Sequence, residues 1–173
     1  MAKKFPLARI IKQHLGKVTV DEKVTDMACV KVGPDDLVEL CLYLRDDEAF
    51  KFDFMADICG VDFYPDSPRY ELVYHLYSIS FGWRLRIKCR LDDPPVAPTI
   101  TAIWTTANWH EREAYDMYGI VFEGHPDLRR IYMWEEFDGW PMRKDFPLRG
   151  YKDKYNPFGT EKPAEKSNDK EAS

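Results

Sequence analysis

Hydrophobic positions recur along the first two thirds of this chain in two periods, and those periods predict its elements. After Gly33-Pro34, the residues Leu37, Leu40, Cys41 and Leu44 fall at helical spacing. Pro34 occupies the first helical position and Asp35 and Asp36 the first turn, which predicts a helix with one buried stripe. Over residues 69–79, Leu72, Tyr74 and Leu76 alternate with Val73, His75 and Tyr77; both faces are apolar, which predicts a central strand. Beyond Phe81-Gly82, Trp83, Leu85, Ile87, Cys89 and Leu91 alternate with Arg84, Arg86, Lys88 and Arg90, a half-buried strand with one cationic face. These two strands are expected to form a hairpin. Weaker patterns predict a helix over residues 7–15 ended by Gly16, and strands over 17–20 and 27–32. Phe54, Met55 and Ile58 suggest a short helix ended by Gly60, then a strand over 61–64 closed by the turn Pro65-Asp66-Ser67-Pro68. Residues 92–98 read as a Pro-rich loop and 99–104 as one more strand.

From residue 105 the pattern turns helical. Asn108 is placed to cap, with Glu111 three residues on in capping-box position, and Gly119 is a natural stop. Arg112 and Asp116 are spaced to pair on one helix face. After Phe122 regular periodicity fades, and residues 124–155 mix Pro, Gly, aromatic and charged residues without alternation. Such a segment wraps over its own domain or lies along another protein. The organisation expected is a core over 1–123, a partner-binding arm over 124–158, and a polar, disordered tail over 159–173.

Composition narrows the function. At 173 residues, with 45% hydrophobic and 32% charged, the chain is one soluble globular domain. Its net charge of -5 argues against a nucleic-acid binder. No apolar run approaches the roughly 20 residues that span a bilayer. The first sixteen residues lack the continuous apolar core of a signal peptide, so a cytoplasmic location is expected, with membrane contact only through a partner. Cys29, Cys41, Cys59 and Cys89 form no CxxC pair, and their apolar neighbours predict core filling. The cationic strand face reads as solvated or covered by an acidic partner, and His75 as a hydrogen-bonded structural residue.

Catalytic chemistry finds little support. His110-Glu111 begins a zinc-hydrolase helix motif, but the position needing the second His is Ala114. Glu113 and Asp116 are three apart, and such helix-surface acids are usually pairing charges. Phosphate-binding glycine loops and a nucleophile elbow are absent from the sequence. A stand-alone metal hydrolase built on His110, Glu111, Glu113 and His125 is the weaker alternative.

Residues 111–131, EREAYDMYGIVFEGHPDLRRI, followed by 141–151, PMRKDFPLRGY, closely resemble the NuoC/NdhJ family, a subunit type of complex I, the respiratory NADH:quinone oxidoreductase. The positions that carry the resemblance are Glu111, Arg112, Glu113, Asp116, Gly119, Phe122, His125, Pro126, Leu128, Arg129 and Arg130, and the likeness spans residues 30–151. Trp140 replaces the family's usual His, and Met142 its usual Leu.

The resemblance implies an α/β (α+β) fold, a mixed sheet flanked by helices with an extended C-terminal arm. It implies a non-catalytic subunit that supports assembly of a proton-pumping complex. FMN, iron–sulfur clusters and quinone would lie elsewhere in that complex, with none in this chain. The implied partners are the large quinone-site subunit and neighbouring cluster-bearing subunits of the peripheral arm. The implied place is peripheral, on the cytoplasmic face of the inner membrane. A related membrane-bound hydrogenase or a quinone reductase with another donor is the alternative complex. Within this reading Arg112, Asp116, Arg129 and Arg130 form a charge network that fixes the arm, with Arg129 on a buried carboxylate; the alternative is that they only pin the loop to its own helix. Glu111, Glu113, His125 and Asp127, in the same motif, are counted with them among the arm-fixing or partner-binding residues. Arg143, Lys144 and Asp145 are expected to meet the neighbouring subunit, with Trp140, Phe146 and Leu148 as apolar anchors.

Overall fold

The computed structural model describes residues 5–162. In chain order it comprises α1 (Leu7–Gln13), β1 (Val18–Val20), β2 (Ala28–Val32), α2 (Pro34–Asp46), β3 (Phe54–Asp62), β4 (Tyr70–Ser78), β5 (Trp83–Leu91), β6 (Val96–Pro98), α3 (Ala107–Tyr118) and β7 (Val121–Glu123). Five strands form one mixed sheet in the order β1-β2-β5-β4-β3, with β2 and β5 parallel and the other pairs antiparallel. β6 and β7 form a small parallel pair. This is an α+β fold, a mixed sheet flanked by helices.

The alternation along β5 decides the core. Leu85, Ile87, Cys89 and Leu91 stand opposite Leu76, Tyr74, Leu72 and Tyr70 of β4, and all eight are buried. The α2 stripe of Leu37, Leu40, Cys41 and Leu44 is buried in the same core. Each such Leu removed from water contributes about 1.5–3 kcal/mol. β4 is an inner strand and β4–β5 a hairpin, as the pattern predicts. On the opposite face the cations of β5 find partners inside the chain. Arg86 pairs with Asp26 at 3.1 Å, Lys88 with Asp21 at 2.9 Å and Arg90 with Glu71 at 2.9 Å. His75 accepts from Arg86 Nε at 3.0 Å, the kind of hydrogen bond expected of it.

Several local expectations are corrected. The helix expected at Phe54–Ile58 is part of β3. A bulge between Met55 and Asp57 inserts one extra residue, so Met55 and Ile58, three apart, both face the core and imitate helical spacing. The strand expected over 99–104 is a turn, in which Ile103 and Trp104 donate to Ile100 O. The paired segment lies just before it, at β6 within the predicted loop. Asn108 lies inside α3 rather than capping it, because the helix starts at Ala107 after Thr106. Three of the four cysteines are buried; Cys59 is exposed, since its place opposite Val73 turns it to the face away from the core. Residues 159–162 of the expected tail fold back, with Thr160 N donating to Gly150 O at 2.8 Å, and residues 163–173 lie outside the described range.

Candidate functional site

Helix α3 buries three charged residues, Glu111, Arg112 and Asp116. A charge removed from water demands partners, and those partners fix the segment that follows β7. The Asp116 carboxylate is fully buried. Its Oδ2 accepts the N–H groups of Ile131 (3.0 Å), Tyr132 (2.7 Å) and Met133 (2.9 Å), and its Oδ1 accepts Arg130 Nη1 at 2.8 Å. Burial alone would raise this carboxyl; three N–H donors and a guanidinium outweigh it and hold it below the ordinary Asp value.

Arg130 is the hub of the arm. Its Nη2 donates to Phe137 O (3.2 Å) and Gly139 O (3.0 Å), and its guanidinium lies 4.5 Å from the Trp140 ring centroid. Arg112 donates to Arg129 O at 3.2 Å and Arg130 O at 3.4 Å, so it holds the backbone of the two arginines. Arg112 and Asp116 are thus separate clamps on the arm, each engaged there rather than with the other. The expected place of Arg129 is also corrected. Its side chain faces solvent, 65% exposed, and pairs at 2.9 Å with the half-exposed Asp127. The buried carboxylate belongs to Arg130.

Glu111 works at the other end of the same helix. Rather than capping, it accepts Thr99 Oγ1 at 2.5 Å and Ile100 N at 2.8 Å, and His125 Nε2 lies 3.9 Å away. Desolvation pushes this carboxyl up to about 7, and its two donors only partly oppose that. His125 accepts Asp127 N through Nδ1 at 3.0 Å, which leaves Nε2 to donate to Asn108 O at 3.3 Å. Of the four residues in the metal-hydrolase alternative, Glu111 and His125 come together. His110 instead pairs with Asp57 at 3.2 Å, and Glu113 is exposed.

The second motif is pinned from two sides. Arg143 Nε donates to Tyr118 O at 2.6 Å and Met142 N to Met117 O at 3.1 Å, closing the arm over the end of α3. Gly119, left-handed at φ 74°, makes room there: a Cβ would fall 2.6 Å from Trp140 and 2.7 Å from Arg143. Lys144 N donates to Asp62 Oδ2 at 2.8 Å, and Asp145 accepts two bonds from Arg69, at 2.8 and 3.0 Å. Arg69 also grips Asp62, so these carboxyls lie below the ordinary Asp range. Arg143 and Asp145 therefore bind their own domain, while the Lys144 side chain faces outward. Trp140 packs on Tyr115, and Phe146 on Phe137 and Tyr151. Sequence reading missed Asp62, Arg69 and Thr99, and no local signal marks them: Arg69 meets Asp145 across 76 positions.

With one side pinned, the arm leaves six large apolar side chains exposed: Tyr132, Trp134, Met142, Leu148, Tyr155 and Phe158. Leu148 is fully exposed and Phe158 86% exposed. The segment thus combines buried charged anchors with exposed apolar side chains. A family model described as "Respiratory-chain NADH dehydrogenase, 30 Kd subunit" matches residues 30–152. The chain belongs to that family, the NuoC subunits of the NADH-quinone oxidoreductase known as complex I. It is 68% identical over 132 residues to the second of the NuoC-type NADH-quinone oxidoreductase subunits of Rhizobium meliloti (strain 1021), covering 76% of this chain and 72% of that one. It is 46% identical over 149 residues to the corresponding NADH-quinone oxidoreductase subunit of Burkholderia mallei (strain SAVP1), covering 81% and 74%. Among solved structures it is similar to Nqo5, as its trypsin-resistant fragment (1-134), with TM-score 0.60 and 34% identity over 70% of this chain and 98% of that one. The archaeal membrane-bound sulfane sulfur reductase complex contains a chain of the same fold, with TM-score 0.68 and 24% identity over 82% and 84%.

Proposed function

We propose that this chain is a non-catalytic peripheral-arm subunit of a proton-pumping NADH:quinone oxidoreductase, and that residues 124–158 seat it on the large quinone-site subunit. The observation that carries this reading is the set of large apolar side chains that the arm exposes, with its backbone at residues 131–139 held by Asp116 and Arg130. A rigid arm loses little conformational freedom on docking, and exposed aromatics then contribute most of the binding energy. Leu148 and Lys144 remain outward for the partner; Trp140, Arg143, Asp145 and Phe146 act indirectly, by shaping the arm. The complex carries FMN, iron–sulfur clusters and quinone, and in this reading none of the three binds here; cluster-bearing neighbours and the quinone-site subunit hold them. No helix among the described residues is long and apolar enough to cross a membrane. Membrane contact is accordingly assigned to the rest of the complex, at the cytoplasmic face of the inner membrane.

The alternative complex, a hydrogenase or a reductase with another donor, draws on the fold shared with the sulfane sulfur reductase chain. Purification of the tagged chain from mildly solubilised membranes, with mass spectrometry of what accompanies it, tests both. Recovery of a large quinone-site subunit with an NADH-oxidising flavoprotein is the expected result. A hydrogenase module in its place selects the alternative, and recovery of the chain alone overturns docking. A Leu148→Asp, Phe158→Asp double variant should lose those partners while keeping its own melting temperature.

A further inference from the structure

The outer face of the sheet carries a further cluster of polar side chains. Asp57 and Cys59 are two apart on β3, beyond the bulge, so both leave the sheet on the side away from the core. His75 is the cross-strand partner of Asp57 and projects the same way. Cys59 Sγ lies 2.7 Å from Asp57 Oδ2, and His75 Nδ1 lies 3.8 Å from the same oxygen. One donor atom from each of the three lies within 4.8 Å of the others. From α3, His110 Nδ1 reaches the second oxygen of Asp57 at 3.2 Å and so orients the carboxylate. Solvent reaches the cluster: Cys59 is exposed, and Asp57 and His75 are partly so.

Thiolate, imidazole and carboxylate are the ligands of zinc. Bonds of about 2.0–2.3 Å at tetrahedral angles set neighbouring donor atoms roughly 3.3–3.8 Å apart, so small movements of these side chains suffice. We propose that Asp57, Cys59 and His75 bind one Zn2+ on the outer face of the sheet, with water as fourth ligand and His110 positioning Asp57. The ion joins the edge strand β3 to β4 beside the bulge. No clustered spacing announces the site in sequence, because two of its ligands meet the third only through strand pairing.

Binding has a defined proton balance. Partial desolvation and the adjacent Asp57 carboxylate push the Cys59 thiol up to about 12, so the ion must displace the thiol proton. The S–H bond gives way to a Zn–S bond, one proton goes to solvent, and no oxidation state changes. His75 exchanges its Nδ1 proton for one on Nε2. Arg86, which donates to that nitrogen, must then release it while keeping Asp26. Its positive charge opposes the ion, so Arg86→Ala is expected to tighten binding.

The test is titration of the full, tag-free chain with Co2+, whose spectrum reports thiolate ligation, followed by displacement with Zn2+. One ion per chain, one proton released and a thiolate-to-cobalt absorption band are expected. Cys59→Ser should abolish the band, and Asp57→Asn and His75→Gln should each weaken binding at least about tenfold. Melting curves of the metal-free variants separate lost ligation from lost folding. No band with excess Co2+ would overturn the proposal, as would affinities unchanged in all three variants, which mark adventitious binding by surface carboxylates. An Arg86→Ala variant that binds no more tightly would remove His75 from the ligand set and overturn the site as drawn.

Discussion

Two neighbouring arginines, given the same substitution, should behave very differently. Arg130 is 11% exposed and bonds a fully buried carboxylate, three backbone carbonyls and the face of Trp140. Removing one partner of a buried pair costs about 3–5 kcal/mol. Arg129 and its partner Asp127 are both more than half exposed, and such surface pairs contribute about 0–1 kcal/mol. For a chain of this size, Arg130→Ala should lower the melting temperature by roughly 6–20 °C if the arm melts with the core, and Arg129→Ala by at most about 4 °C. If the arm opens first, cleavage by trypsin after Lys144 and Arg149 should accelerate on the order of 100-fold or more in Arg130→Ala and less than about tenfold in Arg129→Ala. Thermal melts and timed proteolysis of the two variants decide. Equal losses from both, or an Arg130→Ala protein with native stability and native cleavage, would refute the assignment of Arg130 as the hub.

Two further outcomes follow from the same helix. Glu111 is raised from 4.5 to about 7 in the folded chain, so its contribution is fully present below pH 4.5 and is lost as pH climbs through about 7. That is about 3 kcal/mol of pH-dependent stability across the window; denaturation at pH 5 and pH 8 should show it in the native chain and not in Glu111→Gln, and parallel profiles would refute it. Gly119→Ala combines a left-handed backbone with a Cβ driven into Trp140 and Arg143, and should cost at least about 1–3 kcal/mol and shift Trp140 fluorescence; an unchanged melt would show that the arm does not close there.

The parts of this protein that depend on period and on local backbone were legible along its chain. The α2 stripe, the β4–β5 hairpin and the stop at Gly119 each follow from side-chain spacing or from one residue's conformational freedom, and all three hold. The motif at 111–131 also marked the family. Tertiary structure decided which charge meets which. A helical period places Arg112 and Asp116 on one face, yet each is drawn to the arm, because a buried carboxylate takes the best set of donors in space and not the nearest in sequence. The bulge in β3 hid a strand behind a helical spacing for a related reason: a ladder with one extra residue breaks the period on which such reading depends. Arg69 with Asp145, and His75 with the Asp57–Cys59 pair, lie beyond any local pattern, since only the returning arm and the folded sheet bring them within reach.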